Sequence, residues 1–212
     1  MNDTVRIAIP KGRLFEPSLD LLARAGVYAP GEDRGTRKLI FGSDGTGCEF
    51  IALKPIDIPV YVESGSIDAG IVGTDILREL ESDVNEPLDL RIGTCTLVLA
   101  APEGTTLEYA RALKIATKYP RTAEKFFRSR NVHVHVVRLD GSVEIAPLLG
   151  LADAIVDLVE TGRTLRENGM VVVEEISRVT AKLIVNRTAM KVKTQRVNPF
   201  LARLDAVVYE NS

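Results

Sequence analysis

Ile155-Val156-Asp157-Leu158-Val159-Glu160-Thr161-Gly162-Arg163-Thr164-Leu165 is the stretch from which the rest of the chain is read. An apolar run of strand character passes directly into a turn of small and hydroxyl residues, and a helix opens on that turn. Strand, short turn and helix in succession are the building unit of an α/β fold. The turn aims several backbone N–H groups, with the hydroxyls of Thr161 and Thr164, at one spot, which is the chemistry of a phosphate seat. Asp157 and Glu160 stand just ahead of it as acceptors suited to sugar hydroxyls or a magnesium ion. Phosphate seat and sugar acceptors together point to a phosphorylated ribose. The turn taken alone equally fits an ordinary helix start with a threonine cap.

Outward from this stretch, short apolar runs alternate with helical patterns. Residues 5–9 read as a strand ending at Pro10, and 14–25 as a helix stopped by Gly26. Residues 38–41 and 49–53 read as a strand pair around the turn-rich 42–47. A short helix over 58–65, a buried strand over 69–72 and a helix over 75–81 follow. The pattern restarts near 91–94. Strands are expected over 97–101, 114–117 and 132–139, with helices over 122–130 and 144–149. An extended run over 170–186 and an amphipathic helix over 199–208 close the chain. The alternation predicts α/β material with a largely parallel sheet. It also predicts two lobes with two crossings, the first from 1–93 plus 187–212 and the second from 94–186.

Composition bounds the function classes. The 212 residues are 45% hydrophobic and 26% charged, ordinary for a globular protein. The 27 basic and 29 acidic residues nearly cancel. No basic stripe stands out, so no nucleic acid partner is expected for the bare chain. No apolar run reaches the length of a bilayer span, so no membrane is expected either. The first residues lack the apolar core of a signal peptide, which leads to a cytoplasmic expectation. Cys48 and Cys95 lie far apart in apolar runs, with no second cysteine at metal spacing, and read as buried reduced thiols.

Other features have both a plain and a functional reading. Lys11, Gly12 and Arg13 follow a strand directly, where open α/β sheets bind ligands, and two cations beside a glycine suit a polyphosphate. They also fit a solvated loop before a helix. Thr74 or Asp75 caps the next helix, borders a pocket, or does both. His133 and His135 alternate on one strand face with no third ligand nearby, and read as an exposed face. Lys118, Arg121, Lys125, Arg128 and Arg130 read as a solvated helix face or as a cluster steering phosphates.

The positions Glu144, Gly150, Ala152, Ile155, Asp157 and Leu158, with the Thr161-Gly162-x-Thr164-Leu165 turn, resemble the signature of the ATP phosphoribosyltransferase family. These glycosyltransferases (pentosyltransferases) catalyse the first step of histidine biosynthesis. Pro10-Lys11-Gly12-Arg13-Leu14 and Asp68-Ala69-Gly70-Ile71-Val72-Gly73-Thr74-Asp75 resemble two further family blocks. Lys54 stands where the family more often has arginine. The resemblance implies a two-lobed fold like that of periplasmic solute-binding proteins, with the active site in the cleft between lobes. It implies that Glu144, Asp157, Glu160, Thr161, Gly162, Arg163, Thr164 and Leu165 bind phosphoribosyl pyrophosphate. Lys11, Gly12, Arg13, Asp68, Gly73 and Thr74 would bind ATP, and Lys11, Arg13 and Lys54 would serve catalysis. Mg²⁺ would arrive with the substrate phosphates rather than be held by the protein alone. The chain looks like the family's short form, which implies a regulatory subunit resembling histidyl-tRNA synthetase and a hetero-octamer. Two rivals are a solute-binding module of the same fold and a phosphoribosyltransferase acting on a different base.

Overall fold

A computed structural model describes residues 4–29, 38–43, 47–107 and 112–209. The expected turn over 42–47 therefore lies partly outside the described residues. β1 (Val5–Pro10) leads into α1 (Phe15–Arg24), followed by β2 (Ile40–Ser43) and β3 (Cys48–Leu53). A 3-10 turn over Pro55–Asp57 opens α2 (Ile58–Glu63), and then come β4 (Ala69–Gly73), α3 (Thr74–Leu80) and β5 (Asn85–Asp89). The middle of the chain holds β6 (Cys95–Pro102), β7 (Leu113–Thr117), α4 (Pro120–Arg128) and β8 (Val134–Arg138). α5 (Ile145–Leu148), β9 (Ala154–Val159), α6 (Arg163–Glu167) and β10 (Met170–Val179) complete it. β11 (Ala181–Val185), α7 (Arg187–Val192) and α8 (Thr194–Tyr209) end the described chain.

The chain divides into two compact units, Met1–Gly93 with Thr180–Ser212, and Thr94–Val179. In the first, the strand order is β2-β3-β1-β4-β11-β5; in the second it is β10-β6-β9-β7-β8. The sheets are mixed rather than largely parallel. Among the described residues, only β1–β3, β1–β4, β7–β8 and β7–β9 are parallel pairs. The reason lies in the crossings. Outgoing β5 pairs with returning β11, and outgoing β6 with returning β10, so each pair is antiparallel. The return comes at Thr180 and not at 187, because residues 181–185 hydrogen-bond to β4 and β5 in the first unit. The single extended run over 170–186 is thus two strands in two different sheets.

Successive side chains of β1, β4 and β11 point to opposite faces of the first sheet, and both faces of these central strands are buried. Ile7 and Ile9 of β1 pack with Leu19, Leu22, Phe50, Ile71, Leu183, Val197 and Leu204. Ala8 points the other way, toward Ile58, Val62, Val72 and Ile184. α8 places Val197, Phe200, Leu204 and Val208 on one stripe at helical spacing, which brings the end of the chain back onto the first core. α7 is capped by Asn186, whose side chain accepts from Thr188 N and Ala189 N at 2.9 Å each. In the second unit Val98, Ala116, Val143, Ile155, Leu165 and Met170 form a core on one face of the sheet. Cys48 and Cys95 are buried and not joined in a disulfide. Among the described residues, no helix is long and apolar enough to cross a membrane.

Candidate active site

β9 buries Ala154, Ile155 and Val156, then rises toward solvent through Asp157 to the exposed Glu160 and Thr161. The strand has to stop there because Gly162 takes φ +70°, a left-handed conformation that side chains disfavour. The chain turns and α6 starts at Arg163. The N-cap of α6 is Gly162, which has no side chain to cap with, so Thr161 stands one residue too early for an ordinary threonine cap. Thr161 Oγ1 accepts only a long contact from Arg163 N, 3.4 Å. The turn walls a cavity of about 300 Å³ lined by Glu144, Ile155, Asp157, Leu158, Val159 and every residue from Glu160 to Leu165. One cavity thus gathers all eight second-unit candidates.

Within it the side chains take different roles. Asp157 is about a quarter exposed, its Oδ1 accepting the Leu158 N–H at 2.8 Å and lying 3.8 Å from Lys118 Nζ. Glu144 is half-buried at the start of α5, and Glu160 is exposed. The Arg163 guanidinium donates to Glu167 Oε1 at 2.8 Å along α6. Leu165 borders the cavity differently from its neighbours. Its side chain is 7% exposed and packs into the core, so it anchors the turn and can offer a ligand only its backbone. The N–H groups of the first residues of a helix have no partner within it, which leaves the turn to satisfy them from outside.

The first unit assembles a second set of candidates at one sheet edge. β1 and β3 are parallel, with Pro10 opposite Leu53, and Lys11 N donates to Leu53 O at 2.7 Å. Lys11 and Lys54 therefore leave adjacent strand ends side by side, both exposed. β4 runs parallel to β1, with Ala8 opposite Gly70, so Gly73 emerges at the same edge. Gly12 sits at φ +86° in the turn that lets Phe15 N reach Gly12 O. Arg13 Nη1 donates to Gly93 O at 2.6 Å, which ties this residue to the point where the chain leaves the unit. Gly73 is needed for space, because a Cβ there would stand 2.1 Å from Asp75 Oδ1.

Two expectations need correction. Asp68 precedes β4 and lies at the opposite end of the strand from Gly73. It is 7% exposed, and its Oδ2 accepts from Arg6 N and Lys193 Nζ at 2.9 Å each. It is a buried structural anchor, not a residue of the Lys11–Lys54 edge. Thr74 is also 7% exposed, and its hydroxyl accepts from Thr180 N at 3.3 Å while its N–H donates to Thr180 O at 2.9 Å. It neither caps α3, whose N-cap is Gly73, nor turns its hydroxyl to solvent.

His133 and His135 are both exposed. Among the described residues, no group of three or more His, Cys, Asp or Glu side chains is gathered for a metal ion. The basic cluster is not one face. Lys118 lies ahead of α4, and Arg130 pairs with Glu174 and stacks 3.8 Å over the Phe126 ring. The residue that sequence reasoning missed is Lys118 as a neighbour of Asp157. What brings them together is the parallel pairing of β7 with β9, strands separated in the chain by α4, β8 and α5, which sequence spacing alone does not register.

The ATP phosphoribosyltransferase (HisG) family model matches residues 54–206. The ATP phosphoribosyltransferase of Caldanaerobacter subterraneus subsp. tengcongensis is 44% identical over 206 residues, covering 97% of this chain and 98% of the relative. That of a Geobacillus species is 46% identical over 202 residues, 95% of this chain and 98% of the relative. The solved ATP phosphoribosyl transferase (HisG:HisZ) complex from Thermotoga maritima superposes with a TM-score of 0.85 at 34% identity, covering 98% of this chain and 100% of that one. The substrate binding protein of an amino acid ABC transporter shares the fold alone, with a TM-score of 0.61 at 12% identity over 98% of this chain and 94% of that one. With the family model covering well over half of the chain and relatives aligned nearly end to end, the chain belongs to the ATP phosphoribosyltransferase family.

Proposed function

We propose that this chain joins ATP and phosphoribosyl pyrophosphate to give N1-(5-phosphoribosyl)-ATP and pyrophosphate, the first step of histidine biosynthesis. The observation that carries the reading is the single cavity that gathers Glu144, Asp157 and the 160–165 turn. The turn N–H groups and the Thr161 and Thr164 hydroxyls bind the 5-phosphate. Asp157, with Glu160 and Glu144 beside it, accepts hydrogen bonds from the ribose hydroxyls. Adenine N1 is unprotonated at neutral pH, so its lone pair attacks the anomeric carbon without a strong general base. The C–N bond forms as the C–O bond to pyrophosphate breaks, and the electron pair leaves with the pyrophosphate. The demanding task is therefore to neutralise the leaving group and hold both substrates in line.

Lys11 and Lys54, side by side at one strand edge, supply positive charge to polyphosphate, with Arg13 next to them. The exposed Glu160 and partly exposed Asp157 are hard oxygen donors of the type that suits Mg²⁺ together with substrate oxygens. When bound with the substrate phosphates, Mg²⁺ adds to the charge neutralisation of the departing pyrophosphate. A regulatory subunit of the HisZ kind, resembling histidyl-tRNA synthetase, is the inferred partner in a hetero-octamer. The Thermotoga maritima relative, solved as a HisG:HisZ complex, supports it. Two buried cysteines outside any disulfide suit a reducing cytoplasm.

The test is absorbance near the adenine band on mixing the chain with ATP, phosphoribosyl pyrophosphate and Mg²⁺, with pyrophosphatase pulling the reaction forward. Absorbance that needs both substrates and falls in Thr161→Ala supports the reading. Silence with the regulatory subunit also present would refute it and favour a binding module. Turnover of a free base in place of ATP would reassign the acceptor.

A further inference from the structure

β7 and β9 are parallel, with Thr117 opposite Val156, so the register sets Lys118, just past the end of β7, beside Asp157 within β9. Lys118 Nζ stands 3.8 Å from Asp157 Oδ1. The Thr117 hydroxyl ties the residues on both sides of Lys118 together and to the strand that bears Asp157. Thr117, fully buried, donates its hydroxyl to Val156 O at 2.6 Å and accepts from Tyr119 N at 2.9 Å. The ammonium has a second restraint, 5.0 Å from the centroid of the Tyr119 ring, whose residue is 2% exposed. A lysine held by an aromatic face and a carboxylate samples fewer rotamers than one on an open helix face.

We propose that Lys118 is a positioning residue for the phosphoribosyl site, holding the Asp157 carboxylate in the orientation that accepts the ribose hydroxyls. This rests on reading the cavity as a phosphoribosyl pyrophosphate site. Lys118 acts through Asp157, so its effect falls on the affinity for the sugar substrate and not on the nucleotide.

The experiment is steady-state kinetics of Lys118→Met, Lys118→Arg, Asp157→Asn and the Lys118→Met/Asp157→Asn pair, with the regulatory subunit present. Lys118→Met keeps the length of the side chain and removes its charge. It should raise KM for phosphoribosyl pyrophosphate about 1.5- to 5-fold, the range for a partly exposed charge pair. KM for ATP and thermal stability should stay near wild type, and Lys118→Arg should restore most of the loss. In the Asp157→Asn background, Lys118→Met should add nothing. An unchanged KM for phosphoribosyl pyrophosphate overturns the proposal, as does a full additional loss in the Asp157→Asn background. Wild-type turnover in the same series separates the two failures. An active wild type with an unaffected Lys118→Met sinks the positioning role alone, and an inactive wild type sinks the reading of the site along with it.

Discussion

Gly162→Ala isolates what the phosphate turn asks of its backbone. Gly162 holds φ +70°, and a Cβ there would meet Arg166 Nη1 at 3.2 Å and Val159 Cγ1 at 3.7 Å. The first contact is the far end of a flexible side chain and the second is ordinary packing, so space is not the obstacle. The cost is the left-handed backbone, about 1–2 kcal/mol for an L-residue. For a chain of this size that corresponds to a fall in Tm of about 2–8 °C. Gly104→Ala supplies the control. Gly104 lies at φ +77° with nothing within 4 Å of its Cβ position, so it carries the same backbone penalty away from the cavity. Both variants should lose similar stability in thermal unfolding. Only Gly162→Ala should also lose kcat/KM for phosphoribosyl pyrophosphate, about 10²-fold if the turn shifts by about 1 Å. Equal kinetics in the two variants would refute the claim that this turn is shaped for the substrate, and an unchanged Tm in both would refute the backbone argument itself.

Lys11→Met and Lys54→Met should each lower kcat by about 10²–10³, as expected for a cation acting on a developing anion, in a coupled pyrophosphate assay. Asp68→Ala leaves Lys193 Nζ and the Arg6 N–H without the carboxylate they share, so it should cost about 1–3 kcal/mol in denaturant unfolding while KM for ATP holds. A large rise in that KM at full stability would return Asp68 to the nucleotide site. Leu165→Ala empties a buried position behind the turn and should destabilise by about 2–5 kcal/mol. Tyr28→Phe should be neutral or slightly stabilising by the same measurement, because the buried Tyr28 hydroxyl has no hydrogen-bond partner among the described residues.

Elements with strong apolar periodicity were legible in the sequence. β1, α1, β3, β4, β6 and β9 all fall where alternation or helical spacing puts them. β5 was not legible. Its Asn-Glu-Pro-Leu-Asp buries only Leu88, and a proline in an edge strand erases the usual signal. α7 was hidden for a similar reason. It buries only Ala189 and is set by the Asn186 cap, a single polar residue with no pattern of its own. The division of 170–186 at Thr180 depends on partners distant in sequence. β10 pairs with β6 and β11 with β4, so no local property of the run could mark the break.

The candidate sites show the same limit in a more instructive form. The 160–165 turn is continuous in sequence and closes on itself, so its residues share one cavity, and reading them as a unit was sound. Asp68 to Thr74 is equally continuous but is mostly strand. A strand advances about 3.3 Å per residue, so the five residues of β4 put Asp68 and Thr74 at opposite ends of the strand, the whole strand length apart. One end of that block meets Arg6 and Lys193, while the other meets Thr180 and the edge where Lys11 and Lys54 emerge. A motif that bends can be a site in itself. A motif that runs straight has two ends, and only the strand's direction relative to its neighbours tells which of them belongs with the rest of the chemistry. In a parallel pair that direction is shared, which is why the carboxyl ends of β1, β3 and β4 gather Lys11, Lys54 and Gly73 and leave Asp68 behind.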